Sequence, residues 1–395
     1  MDANGAPFLI HGDTPWSLIV QLSRADVDLY LENRRQKGFN TILVNLIEHY
    51  FATNPPKNFY GESPFFTAGD FATPNDAYFA HAEYVISKAA EKGILVMLTP
   101  AYMGSGGGNQ GWYQEMVANG TTKLRAYGQY IATRFLAHDN ILWVEGGDMN
   151  PPNASLMRAI ADGIRDIDGR WLQTFHGSRN TSALGFLGTS QPWLQVNTIY
   201  TDQTNVVAHA FQEYARSTMP FFLIEAIYES GSGLLVRQQA YQTVLSGGSG
   251  QFMGHSYVWA MLDNNWRWAI DSEGAQTLTH LRTLLESWSW WNLQPDVSNS
   301  LLTNGIGTAA NRAVAAFAAD RAHALIYTPS VRTLTVELGQ LAGPNVNARW
   351  YDPTTGAYVA ISGSPFVAGG PRTFTPPGNN ARGSGDWVLV LQSTP

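Results

Sequence analysis

The 395-residue sequence contains no cysteine. That excludes disulfides, thiol catalysis and CxxC zinc sites, and leaves the compartment open. Charge is also scarce. Charged residues are 14% of the chain and the net charge is −7, which argues against nucleic acid as a partner. No window of 18 apolar residues occurs, so no membrane span and no membrane partner are expected. Nine histidines lie scattered, and neither HExxH, GxSxG nor a P-loop is present. No catalytic metal and no cofactor are expected. Gly106 to Gly111 matches GxGxxG after a strand, but no clear acidic residue on a second strand follows about 20 residues later. The stretch reads as a Gly-rich loop. Met1 to Gly5 carry neither a basic nor an apolar segment. The expectation is an extracellular or periplasmic protein from which a signal peptide has been removed, with the cytoplasm left open.

What the chain does have is aromatic side chains: 13 Trp, 17 Tyr and 18 Phe. Such rings fill cores and also stack on the apolar faces of sugars. It also has short apolar runs that stop at acids. Phe221-Phe222-Leu223-Ile224 ends at Glu225, and Ile141-Leu142-Trp143-Val144 is followed by Glu145-Gly146-Gly147-Asp148. Runs apolar on both faces read as strands of a parallel sheet covered by helices. Strands are expected near residues 8, 42, 94, 141, 171, 196, 221 and 251, with helices between them. Ser23 with Asp26 reads as a helix start, and Lys37-Gly38 as a stop. The last helix is expected over Gly274–Trp291. This alternation predicts a (β/α)8 TIM barrel over 1–293. Beyond it, turn-separated alternating runs predict a β-sandwich over 294–395.

Asp148 and Glu225 stand 77 residues apart, or three βα units. That makes them acids at the ends of strands four and seven. Two acids facing one pocket are the working parts of most glycoside hydrolases, and retention needs them about 5–5.5 Å apart. Each has a plainer reading: Asp148 as a turn residue, Glu225 as half of an ion pair. Glu145 competes with Asp148 for the role of acid, and Glu229 gets a supporting role at most. Asp13, Trp16, Glu48, His49, Tyr102, His176, Tyr200, Asp202, Tyr228, His255 and Trp259 fall at or near strand ends and are the candidate sugar-binding residues. Trp16, Trp259 and Trp266 are candidate platforms, equally readable as core. After the last helix, Trp288, Trp290 and Trp291 should cover more than one helix face, so at least one is expected to bury against residues beyond 297.

His11-Gly12-Asp13-Thr14-Pro15-Trp16, Tyr30-Leu31-Glu32-Asn33-Arg34 and Gly38-Phe39-Asn40 together resemble the opening of the apiosidase-like glycoside hydrolases. Gly146-Gly147-Asp148-Met149-Asn150 looks like that family's GGDxN segment. Trp350-Tyr351-Asp352-Pro353-Thr354-Thr355-Gly356 is similar to the WYDPxxG signature of the small β-domain that follows in such enzymes, a module labelled collagen-binding. The resemblance implies a retaining TIM-barrel hydrolase. Asp148 would be its general acid/base and Glu225 its nucleophile, with Tyr200 holding Glu225 ionised. The substrate would be an oligo- or polysaccharide, cut at a furanosyl linkage to apiose or arabinofuranose. The alternative is a carbohydrate-binding protein that kept the barrel without catalysis.

Overall fold

The computed structural model describes residues 4–394. Met1 to Ala3, part of the amino-terminal stretch read above, lie outside the described residues. The barrel strands are β1 Ile10–Asp13, β2 Thr41–Asn45, β3 Leu95–Thr99, β4 Ile141–Gly146, β5 Gln173–His176, β6 Asn197–Tyr200, β7 Phe221–Glu225 and β8 Gly250–His255. Apart from the single turns Leu18–Gln21 and Trp266–Ala269, the α-helices between and after them are α1 Arg24–Gln36, α2 Asp76–Glu91, α3 Tyr113–Arg134, α4 Ser155–Ile167, α5 Ala183–Leu187, α6 Val206–Arg216, α7 Gly233–Leu245 and α8 Glu273–Glu286. The strand order is β5-β4-β3-β2-β1-β8-β7-β6, a nearly closed parallel barrel sheet. Every residue of β2, β4 and β7 is buried, as expected of strands covered on both faces. Among the described residues, no helix is long and apolar enough to cross a membrane.

The chain gathers into two compact parts. One comprises residues 11–200 and 254–271. Its parallel strands β2 to β5 are in register from Thr41↔Leu95 through Gly146↔His176. Between β5 and β6 the ladder thins to a single bridge, Gln173↔Leu194, and side chains take over. Thr174 Oγ1 donates to the Val196 carbonyl at 2.7 Å. Ser23 caps α1 by accepting from the Asp26 N–H, as the sequence suggests. Helices α3 and α4 touch at two glycines. A Cβ on Gly128 would lie 2.3 Å from the Ile160 carbonyl oxygen, and one on Gly163 2.2 Å from that of Arg125.

The other part comprises, among the described residues, 4–10, 201–253 and 272–394. It holds β7, most of β8, their helices and the C-terminal β-domain. The β-domain strands are β9 Leu293–Pro295, β10 Leu302–Asn304, β11 Val314–Ala318, β12 His323–Thr328, β13 Leu334–Glu337, β14 Asn345–Tyr351, β15 Tyr358–Ala360, β16 Phe366–Val367, β17 Pro371–Phe374 and β18 Trp387–Thr394. They form an antiparallel sheet ordered β9-β11-β12-β18-β14-β15, with β16 also on β14, and a three-stranded sheet β10-β13-β17. Trp350, Trp387, Leu389 and Phe374 are among the buried residues of their shared core.

The structure moves several expected boundaries. The first strand starts at Ile10, two residues later than read. Helix α3 starts at Tyr113, and Gly120, at φ +70°, interrupts its regular geometry. Strand β4 runs on through Glu145 to Gly146. Helix α8 ends at Glu286, so the three tryptophans lie beyond it and the helix-face argument for them fails. One of them still meets the β-domain: Trp288, half-buried, stacks on His323 at 4.5 Å. Trp291 is exposed.

Candidate active site

The geometry starts from two glycines. Gly146 and Gly147 have φ of +90° and +116°, values that favour glycine. A Cβ on Gly147 would lie 2.3 Å from the Tyr102 ring. The chain can pass that ring only without side chains, and so delivers Asp148 beside it. Asp148 itself has φ of +51°, a left-handed conformation that Asp tolerates better than most residues. Two bonds hold it there. Tyr102 donates its hydroxyl to Asp148 Oδ2 at 2.7 Å. The Asp148 backbone N–H donates to His176 Nδ1 at 3.1 Å, which places the proton of a neutral His176 ring on Nε2. Asn150 and Ser178 lock the same loop, each backbone N–H donating to the other's side chain at 2.9 and 3.0 Å.

A chain of packed rings runs outward from Tyr102 and His176, the two that hold Asp148. Trp16 meets His176 at 5.4 Å and Tyr102 at 6.0 Å. His176 leans on Tyr200 at 4.9 Å. Phe51 joins Tyr102, at 6.1 Å, to Trp259, at 5.1 Å. Arg179 lies over the Tyr200 ring and donates to its hydroxyl at 3.3 Å. The buried Glu48 carboxyl faces Ser17, Asn45 and the backbone of Phe51, whose polar groups offset part of the cost of its burial. Burial pushes its pKa up to about 7. His49 pairs with Glu115 at 3.0 Å and stands edge-on to Trp112 at 4.8 Å. His255 is buried at the end of β8 and accepts the Tyr257 N–H on Nδ1. Its ring meets Trp268 edge-on at 5.7 Å.

In the second compact part, Glu225 is the last residue of β7 and is buried. Its carbonyl accepts from the Thr201 N–H at 3.2 Å. Tyr228, half-buried, opens a two-residue strand just beyond it.

Two candidates leave the sugar-binding set. Asp13 faces α1, where it accepts from Tyr30 at 2.5 Å and from Arg34 at 3.0 Å, while its other oxygen takes the Thr14 N–H. The strand's period of two turns this acid toward the helix layer. Asp202 accepts from the Thr204 N–H and from Asn205 Nδ2, and so ties off the turn before α6. Glu229 also has a structural task, accepting from Ser272 and the Gly274 N–H at the start of α8. Trp266 is buried, hence core and not a platform.

Glu145 shares a face of β4 with Trp143, and that face is the outer one: Trp143 packs on Phe135 and Trp171. Burial raises the Glu145 pKa well above the ordinary range, with Asp162 of α4 adding to it. Glu145 is buried under the helices on that outer face, whereas Asp148 meets Tyr102 and His176. Sequence reading missed Phe51, Arg179 and Asn150. Asn150 lay within a motif already noticed. Phe51 and Arg179 sit in loops with no periodic signal.

Residues 1–292 match the family described as the apiosidase-like catalytic domain. The chain belongs to that family. Residues 295–392 match a domain labelled collagen-binding after a collagenase. Among solved structures, a glycoside hydrolase aligns over 99% of this chain and 94% of its own at 23% identity, with a TM-score of 0.86. A family 5 glycoside hydrolase from Bacteroides vulgatus covers 100% and 91% at the same identity and TM-score. An endo-β-1,4-mannanase from Thermotoga petrophila covers 98% and 92% at 14% identity, with a TM-score of 0.51. At these identities the likeness is one of fold. No curated protein matches the chain. This apiosidase-like chain is a glycoside hydrolase, and its substrate is a carbohydrate.

Proposed function

We propose that this enzyme cuts a plant or microbial polysaccharide at a furanosyl linkage, with retention of configuration. Asp148 gives its proton to the leaving oxygen as Glu225 attacks the anomeric carbon and the glycosidic bond breaks. Asp148 then takes a proton from water, which attacks the same carbon and frees Glu225. The observation that carries this reading is the presentation of Asp148. Two glycines, Tyr102 and His176 fix a carboxyl among aromatic rings at the end of β4. The furanosyl preference, for apiose or arabinofuranose, rests on the family.

A polymeric substrate is supported by rings held rigid at the surface. Trp268 is 55% exposed, yet its Nε1 donates to Asn265 Oδ1 at 3.1 Å and its ring meets Tyr257 at 5.4 Å. Tyr50 is 54% exposed and stands edge-on to Phe51. Ordering an exposed ring costs side-chain entropy, which stacking on a sugar repays. Cell-wall polysaccharide lies outside the cytoplasm, so the reading also puts the enzyme in the extracellular or periplasmic space.

Nitrophenyl apiosides and arabinofuranosides, followed by NMR of the first product anomer, test the reaction. Retained configuration is expected from the wild type and no turnover from Glu225→Gln. An inverted first product, or an active Glu225→Gln, sinks it. Trp268→Ala should weaken turnover of polysaccharide severalfold and leave the aryl glycoside untouched.

A further inference from the structure

Helix α7 is buried from Val236 to Leu245, although Arg237, Gln238, Gln239, Gln242 and Thr243 are polar. Buried polar side chains need partners, and those of this helix reach two different places. On one side they grip the β-domain. Arg237 Nε and Nη2 donate to the two oxygens of Asp386 at 3.0 and 3.2 Å, with both side chains fully buried. Asp386 also accepts from Tyr327 and Asn380. Tyr241 lies flat on Tyr327, with centroids 4.7 Å apart and ring planes within 4°. Gln242 donates to the Ala310 and Arg312 carbonyls, both at 2.9 Å, and Gln238 donates to the Ala310 carbonyl too.

On the other side they grip the loops around Glu225. Gln239 Oε1 accepts the Ile227 N–H at 2.9 Å, and its Nε2 donates to the Ile227 carbonyl at 3.3 Å. One side-chain amide thus clamps both backbone groups of the residue two past Glu225. Gln238 Oε1 accepts from Gln203 Nε2 at 2.8 Å, on the loop after β6. That loop is tied back to the Glu225 carbonyl by the Thr201 N–H.

We propose that the C-terminal β-domain is a brace for the nucleophile: it fixes α7, and Gln239 and Gln238 of α7 act as positioning residues for the loops that flank Glu225. The inference rests on the reading of Glu225 as nucleophile. Misplacing a reacting group by about 1 Å can cost on the order of 100-fold in rate, so the brace should act on kcat.

The test uses the full chain. Gln239→Leu, Gln238→Met and the β-domain variant Asp386→Asn are assayed on the aryl glycoside that the wild type turns over, well below every variant's melting temperature. Steady-state constants are read together with the rate at which a mechanism-based inactivator labels Glu225. Gln239→Leu and Asp386→Asn should each lower kcat and labelling rate by about 10-fold to 100-fold. KM should stay within about threefold, and the double variant should lose less than the product of the two. Asp386→Asn keeps the side chain's shape, and Gln238→Met is a second probe of the clamp should Gln239→Leu fold poorly. Wild-type kcat and labelling with only a lowered melting temperature would overturn the brace. Glu225→Gln is the control: an inactive control beside a wild-type-like Gln239→Leu removes the brace alone, whereas an active control removes the reading of Glu225 itself.

Discussion

Asp148 pays a conformational cost for its place, since a non-glycine residue at φ +51° is disfavoured, and Tyr102 and His176 are what keep it there. Asp148→Asn should lower turnover of an unactivated glycoside by about 10²- to 10⁴-fold, the range of general acid–base catalysis. Substrates whose leaving group needs no proton should lose much less in the first step, so a series of aryl leaving groups checks the role. Equal losses across the series would argue against it. Glu48 gives a second test. Its folded pKa of about 7 lies above the ordinary 4.5, so its contribution to stability is complete below about pH 4.5 and is lost as pH rises through 7. Glu48→Gln keeps the neutral shape at every pH. Melting temperature should fall for the wild type between about pH 5 and 8 and stay flatter for the variant, a difference of at most about 3 kcal/mol. Parallel curves would show that Glu48 does not titrate there.

At the scale of elements, the α3–α4 crossing is the clearest case of sequence serving contact. Gly128 and Gly163 let the two backbones meet. Gly128→Val should destabilise the fold by about 1–3 kcal/mol, read as a lowered denaturation midpoint. An unchanged midpoint would mean the helices can separate freely. The strands were legible because parallel strands covered on both faces are unbroken apolar runs, as in residues 95–98 and 221–224. Their ends were less so. Glu145 looked like the residue after β4 because Val144 is the last apolar one, yet backbone pairing with Phe175 carries the strand on to Gly146. α8 likewise stops at Glu286, where Ser287 and the tryptophans leave the helix, though nothing in that stretch is a strong breaker.

For the molecule as a whole, the β-domain leans on α7 and α8 through Arg237–Asp386, Tyr241–Tyr327 and the Tyr351 hydroxyl on the His280 carbonyl. Cutting the chain after Leu293 removes Asp386 and Tyr327 and uncovers the face of α7 that they bury, the Tyr241 ring included. The truncated barrel should aggregate or melt well below the full chain. A soluble fragment with the full chain's melting temperature would contradict the shared interface. The sequence by itself determined the alternation of strands and helices, the β-domain after it, and the acids at the ends of β4 and β7. All of these follow from local periodicity and the family's motifs. Only the tertiary structure decided which way each acid faces and what it meets. Asp13 turned to Arg34 and Glu145 to the helix layer because a strand sends neighbours to opposite faces, and which face is the pocket depends on pairing between distant segments. The same holds for α7. Its polar run, Arg237-Gln238-Gln239, reads as a solvated surface until the β-domain, some 150 residues later in the chain, arrives to bury it.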